Sequence, residues 1–350
     1  MPEREARAIL RALLAAIDQP SPIRFPFAAT DELTRIAQKH RLSPLLSMLD
    51  SSTLDEPVMA QFRRDRVVTA ARNMFLAATA QECAGALTAA SVPMILLKGL
   101  AYEQTIYAAA GVRPTGDVDI LVPGEARRAA FLVLDRLGFE PRAAAPGFDD
   151  ADYHEVAWTR KGVEVDLHLA LAPLARCRID YADVWARARR PATTSRSDAL
   201  LLDTTHAAVF HALHMAIDHF DVPALYLIDF ARLLPEADDV QRAESLANAW
   251  RCHRSFATTR ALVAEFLPAW RAKQPARPAP WFSRRVIERY GEAQRVSRPE
   301  QLLRKLTHLD GPGYALRYVI TQARRNAREV IENRLRKRSA RERLAINRDV

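Results

Sequence analysis

The segment Val163-Glu164-Val165-Asp166-Leu167-His168-Leu169 alternates without exception between apolar and ionisable residues. Successive side chains of a strand point to opposite faces, so this pattern predicts a half-buried strand. Its valines and leucines make one face, and Glu164, Asp166 and His168 share the other. An extended run from Tyr153 to Arg160 precedes it across Lys161-Gly162, a pair suited to a hairpin turn. With a two-residue turn, Glu155 faces His168 and Ala157 faces Asp166. A loop one residue different in length places His154 on that face instead.

Upstream, Val92 to Leu97 is a short apolar run that ends in Lys98-Gly99 and reads as a buried strand. A helix from Leu100 to about Ala110, a turn from Gly111 to Gly116 and a second strand from Asp117 to Val122 follow. Glu125 to Leu137 gives another helix, stopped by Gly138. Strand, helix, strand, helix and hairpin make an α/β (α+β) pattern with a mixed sheet. Helices flank it on both sides. Ile9, Leu10, Leu13, Leu14 and Ile17 recur at helical spacing, and Asp31 is a candidate N-cap for a helix through Ala37. A long helix from Pro57 to Ala90 has Phe62, Val67, Met74 and Phe75 among its apolar positions. These N-terminal helices read as packing, with no chemistry. After Pro173 the helices are Leu200 to Phe220, Ala224 to Leu234 and Val240 to Phe266. Lys273 to Pro280, with three prolines, is the best linker, and the helical tail beyond it is broken at Gly311-Pro312-Gly313. The expected organisation is a helical region over 1–90, the α/β unit over 91–172, a helical domain over 173–272, and a linker with a basic helical tail over 273–350.

Only 11 glycines occur in 350 residues, which fits a helix-rich chain. Cys83, Cys177 and Cys252 are scattered and form no C-x-x-C pair, against a disulfide framework or a thiolate zinc site. The N-terminus has no secretory apolar core, and no run approaches the roughly 18 apolar residues of a membrane span. The expectation is a soluble, cytoplasmic protein. Net charge is +9, and residues 321–350 carry ten Arg or Lys against four Asp or Glu. That tail fits a polyanion such as RNA or DNA, but a solvated helix of mixed charge is the favoured reading.

In the strand Asp117-Val118-Asp119-Ile120-Leu121-Val122, both aspartates project from one face. Such a pair repels itself unless a cation lies between, and magnesium, a hard ion with oxygen ligands, suits the position. An isolated D-x-D is more often a solvent-exposed pair, and the polar face of the 163–169 strand can equally be plain surface. If Asp166 adds a third carboxylate beside the first two, the set matches metal-assisted nucleotidyl transfer. Lys98-Gly99, at a strand end that opens a helix, suits a phosphate: free N–H groups, close backbone approach and a point charge. Arg113 and Gly116, in Arg113-Pro114-Thr115-Gly116, lead directly into Asp117 and bring a second cation. His168 is expected to orient Asp166 or bond locally rather than bind metal. His211, His214 and Asp218 share one helical face; an interface between helix and sheet is favoured there over a metal site. Asp229 and Arg232 read as an i,i+3 ion pair. Tyr102, Tyr107 and Trp158 read as core packing. No P-loop, dinucleotide fingerprint or Ser–His–Asp arrangement emerges.

Together, Leu97-Lys98-Gly99, Arg113-Pro114-Thr115-Gly116-Asp117-Val118-Asp119 and Glu164-Val165-Asp166-Leu167-His168 resemble the bacterial nucleotidyltransferases of the polymerase-beta superfamily. The motif-bearing part covers about residues 92–171. The resemblance implies a palm fold, bound magnesium with manganese as a substitute, and an NTP donor. It implies Asp117, Asp119 and Asp166 as the catalytic, metal-binding triad, with Lys98, Gly99, Arg113 and Gly116 at the nucleotide and His168 and His154 in support. The expected reaction transfers an NMP to an acceptor (small molecule, peptide or protein) with release of pyrophosphate. The alternative of a different class is a catalytically silent nucleotide- or partner-binding accessory protein. Gly99-Leu100 stands where the wider superfamily has a glycine-glycine or glycine-serine pair, and the spacing from Gly99 to Asp117 is long.

Overall fold

A computed structural model describes residues 3–19, 30–50, 54–142, 154–173, 175–191, 199–291, 297–321 and 323–324. The basic tail expected from Thr321 lies almost entirely outside them. Four helices come first: α1 (Glu3–Asp18), α2 (Thr30–Lys39), α3 (Ser43–Leu46) and α4 (Glu56–Ala89). Then follow β1 (Ile95–Leu96), α5 (Lys98–Ile106), β2 (Val118–Leu121), α6 (Arg127–Arg136), β3 (Glu140–Pro141), β4 (Glu155–Arg160) and β5 (Val163–His168). The chain continues through α7 (Tyr181–Arg187), β6 (Leu200–Leu201), α8 (Thr204–Ile217), α9 (Leu225–Leu233), α10 (Ala237–Ala249) and α11 (His253–Phe266). Last come α12 (Pro268–Ala272), α13 (Arg284–Arg289), α14 (Arg298–Thr307) and a helical stretch over 312–321. Among the described residues, no helix is long and apolar enough to cross a membrane.

The six strands form one mixed sheet in the order β3-β4-β5-β2-β1-β6. β2 runs parallel to β5 and antiparallel to β1, while β4 and β5 are the antiparallel hairpin. The hairpin register is that of the two-residue turn: Glu155 pairs with His168 and Ala157 with Asp166. Lys161 and Gly162 have φ values of 48° and 78°, the positive pair that a twist-matched two-residue turn requires. On the apolar face, Val118, Ile120, Val165 and Leu167 are completely buried, each stabilising the fold by roughly 1.5–3 kcal/mol. Helix α4 crosses near that side. Arg160 Nη1 donates to Glu82 of α4 at 2.9 Å and to the Leu137 carbonyl at 2.7 Å, and its guanidinium lies 4.3 Å from the centre of the Phe139 ring.

Several expected elements differ in detail. The strand over 92–97 narrows to Ile95–Leu96, and Leu200–Leu201 pairs in parallel with it instead of opening a helix. The helix expected over 240–266 is two, α10 and α11, because Arg251 adopts a left-handed conformation at φ 57° between them. Helix α2 begins at Thr30, so Asp31 lies in its first turn, where its charge favours the helix dipole. In α4, Phe62 is buried, but Val67, Met74 and Phe75 are 69%, 74% and 54% exposed. A helix of 34 residues outruns the core it covers; its buried face is Val58, Met59, Phe62, Asn73, Leu76, Thr79, Ala80, Cys83, Ala84 and Leu87.

Candidate active site

The polar face of the sheet carries the carboxylates. The parallel register sets Asp119 of β2 directly beside Asp166 of β5, and Asp117, which the sequence placed in the strand, sits in a bend just before β2 and lines the same cleft. They line a cleft with Lys98, Gly99, Arg113, Pro114, Thr115 and Gly116 on one side and His154, Glu155 and His168 on another. Helices α8 and α9 close it with Phe210, His214, Ile217 and Tyr226, joined by Asp218 at the end of α8. The cleft holds about 820 Å³ of empty space including its open mouth. Every site residue expected from the sequence lies at this cleft.

Their roles differ from one another. Asp119 is 3% exposed, and its Oδ1 receives Lys98 Nζ at 2.8 Å and His168 Nε2 at 3.0 Å. Burial alone would raise its carboxyl, but Lys98 and His168 outweigh that and hold it well below the usual carboxylate range. Lys98 shows the reciprocal effect: burial disfavours its charge, and Asp119 more than restores it. His168 therefore orients Asp119, whereas the sequence pointed it towards Asp166. The difference arises because β5 lies next to β2, so a side chain two residues beyond Asp166 reaches across to the neighbouring strand. The other ring nitrogen of His168 faces Glu155 Oε2 at 3.4 Å, too long for a strong hydrogen bond.

Asp117 and Asp166 are half-buried, and among the described residues neither has such a counter-ion. Burial and the neighbouring Asp119 raise the Asp117 carboxyl, and burial with Asp119 and Asp117 pushes Asp166 up to about 7. A close group of carboxylates short of positive charge is a place for a cation. Among the described residues, no three His, Cys, Asp or Glu side chains close into a cage. The donor set nonetheless suits magnesium, which binds through a few carboxylates and leaves coordination positions to water and phosphate.

At the rim, Lys98 has a positive φ of 36° and Gly99 departs from helical geometry inside α5. A Cβ on Gly99 would lie 2.5 Å from Thr115 Cγ2. Gly99 is thus required by the close approach of the 113–117 loop, a reason the sequence did not supply. Gly99→Ala is expected to cost about 1–3 kcal/mol of stability and to displace Lys98 from Asp119. Adding Thr115→Ser, which removes Cγ2, should restore most of the loss in chemical denaturation; no rescue would disprove the steric account. At Gly116, by contrast, a Cβ would meet nothing within 4 Å among the described residues. Its carbonyl accepts from Arg72 Nη2 of α4 at 2.8 Å.

Arg113 reaches the cleft wall with its guanidinium already engaged. It donates to Asp229 of α9 from Nε at 3.1 Å and Nη2 at 2.8 Å, and Nη1 approaches Thr115 Oγ1 at 3.3 Å. Asp229 also accepts the Tyr107 hydroxyl at 2.6 Å. The expected Asp229–Arg232 pair gives way to this arrangement; Arg232 instead donates to the Ile106 carbonyl and lies over the Tyr107 ring. On α8, His211 is buried and bonds the Tyr226 carbonyl at 2.9 Å, an interface role. His214 and Asp218 face the cleft, and burial drives the His214 imidazole well below its ordinary value. His154 also lines the cleft, its imidazole pushed down to about 4 by burial. The lining residues that the sequence did not single out include Tyr226 of α9, and Arg41, which follows α2.

The sequence profile of the family described as "Uncharacterised nucleotidyltransferase" matches residues 28–268. Among curated proteins, nothing matches. Two solved structures of ANT(2'')-Ia are similar. One is the solution structure of this antibiotic-resistance factor, 13% identical, covering 48% of this chain and 86% of that one at a TM-score of 0.35. The other is its crystal structure with adenylyl-2''-tobramycin, 14% identical, covering 49% of this chain and 93% of that one at a TM-score of 0.36. The family match takes in more than half of the sequence and the whole carboxylate-bearing sheet, and the chain belongs to that family of nucleotidyltransferases.

Proposed function

We propose that the protein transfers an NMP from an NTP to a hydroxyl, amine or phosphate acceptor, depends on magnesium, and uses Asp117, Asp119 and Asp166 as its metal-binding carboxylates. The observation that carries this reading is the β2–β5 register, which sets Asp119 beside Asp166 in the cleft that Asp117 also lines. These three residues would hold the metal, which supplies Lewis-acid stabilisation of the charge that develops on the phosphoryl oxygens. The remaining work falls to the chain. Lys98 and His168 fix Asp119 in one orientation. Gly99 and Gly116 frame the rim against which a triphosphate would lie, and Arg113, clamped by Asp229, steadies the loop that carries Asp117. The acceptor atom forms a bond to the α-phosphorus, the bond to the bridging β-phosphate oxygen breaks, and pyrophosphate leaves; Asp166, on the adjacent strand, is the carboxylate placed to help activate the acceptor. No covalent enzyme intermediate is required.

One observation favours a second reading, a catalytically silent nucleotide- or partner-binding accessory protein. The Lys98 ammonium sits 2.8 Å from Asp119 Oδ1, where it satisfies part of the charge that a metal would otherwise neutralise. The two readings separate in one experiment. Transfer from α-labelled ATP, CTP, GTP and UTP is measured with magnesium and with EDTA, against the protein itself and a lysate of its native host as acceptors. Label transfer that stops with EDTA and in Asp117→Ala/Asp119→Ala is expected. Magnesium-dependent NTP binding without transfer would favour the silent module, and the absence of both binding and transfer would refute the site.

A further inference from the structure

We propose that Arg41, supplied by the N-terminal helical region, binds the part of the donor nucleotide that leaves as pyrophosphate. This inference rests on the nucleotidyl-transfer reading of the cleft. Among the described residues, three Lys or Arg side chains line that cleft: Arg41, Lys98 and Arg113. Lys98 is held by Asp119 at 2.8 Å and is largely buried. Arg113 is held bidentately by Asp229 and is 4% exposed. Arg41 alone of the three is exposed, and among the described residues its guanidinium has no ion-pair or hydrogen-bond partner. A triphosphate brings several negative charges into a cleft already walled by Asp117, Asp119, Asp166, Glu155 and Asp218. Among the described residues Arg41 is the lining cation that no carboxylate engages and the natural partner for it, and a guanidinium matches phosphate oxygens in bidentate geometry.

The backbone around Arg41 is built to aim it. Helix α2 ends in a motif in which Leu42 N–H donates to the Ala37 carbonyl at 2.8 Å and Arg41 N–H to the Gln38 carbonyl at 3.0 Å. That pairing places a left-handed residue after the helix, a position that glycine usually fills. Here it is Arg41, at φ 58°. The corner is tied to the start of α9: Ala224 N–H donates to His40 Nδ1 and Leu225 N–H to the His40 carbonyl, both at 3.2 Å. The next residue of α9, Tyr226, lines the cleft. Arg41 is therefore anchored by its backbone to the cleft wall while its side chain reaches the opening. Its charge acts on both Asp117 and Tyr226.

The test compares wild type with Arg41→Gly and Arg41→Lys in magnesium-containing buffer, measuring binding of all four NTPs and the four matching NMPs by calorimetry. Glycine removes the cation but suits the left-handed backbone, so Arg41→Gly should keep or raise the thermal midpoint. Its affinity for the preferred NTP should fall about 10- to 100-fold, the range of a lost charge-assisted bond, while affinity for the NMP stays within about twofold. Arg41→Lys should fall between the two. Equal NTP affinity in wild type and Arg41→Gly would overturn the role of Arg41 and leave the nucleotide site standing. Equal weakening of NTP and NMP would also overturn it, since the contact would then lie outside the leaving pyrophosphate. A wild-type protein that binds no nucleotide would refute both the inference and the reading beneath it.

Discussion

Asp119→Asn is expected to lower nucleotidyl transfer by at least about 10³-fold, equivalent to roughly 4 kcal/mol of transition-state stabilisation. Asparagine keeps the shape of the side chain and can still accept one hydrogen bond, so the change isolates the charge. That charge is the one Lys98 and His168 converge on, and it lies beside Asp166 in the β2–β5 register. The substitution leaves Lys98 largely buried without its counter-ion, so some loss of stability should accompany the loss of activity. Circular dichroism at the assay temperature separates the two, because a folded variant with no transfer reports on chemistry. Transfer within tenfold of wild type in folded Asp119→Asn would remove Asp119 from the metal-binding set.

Asp229→Ala is expected to be the most destabilising single change near the cleft, at about 3–5 kcal/mol in urea unfolding. Asp229 is completely buried and satisfies two groups at once, the Arg113 guanidinium and the Tyr107 hydroxyl. Truncation strands a charge in the interior, which costs more than the pair contributes when intact. Replacing the whole group, as Arg113→Met/Asp229→Leu/Tyr107→Phe, should recover much of the stability because no buried charge is left unpaired. The functional consequence follows from what Arg113 carries. Its carbonyl accepts from Asn73 of α4 at 2.8 Å, and its guanidinium is within reach of Thr115. The loop into Asp117 is therefore braced between α4 and α9. A loss below about 1 kcal/mol in Asp229→Ala would show that the pair is not the brace.

The residues proposed for chemistry and those that hold them in place come from different parts of the chain. Residues of the first kind lie on or just before strands, whose period-2 geometry makes them visible in a sequence. Residues of the second kind come from helices distant in the chain. Asp229 was visible only as a neighbour of Arg232 on the same helix, because helical spacing reveals local partners and nothing about a residue more than a hundred positions away. Arg113 shows the same blindness from the other side. Its place beside Asp117 was legible, but not the carboxylate that engages it.

What the sequence determined on its own was the local geometry. Strict alternation in 163–169 dictated a strand with Asp166 and His168 on its polar face, while the register across Lys161-Gly162 stayed open between Glu155 and His154 until the fold set Glu155 against His168. The same period predicted that Asp117 and Asp119 share a face; Asp117 lies in the bend before β2 and still lines the cleft with Asp119, and Lys98-Gly99 opens a helix as read. The mixed sheet and its flanking helices followed from the order of these elements. Only the tertiary structure decided which strands are neighbours, and so that His168 serves Asp119 rather than Asp166. It also decided that Gly99 answers to Thr115, that Lys98 and Arg113 are already paired, and that Arg41 arrives from helices read as packing. Periodicity encodes the direction of a side chain relative to its own backbone. Which group it meets depends on contacts between distant segments, and those are fixed only when the whole chain packs.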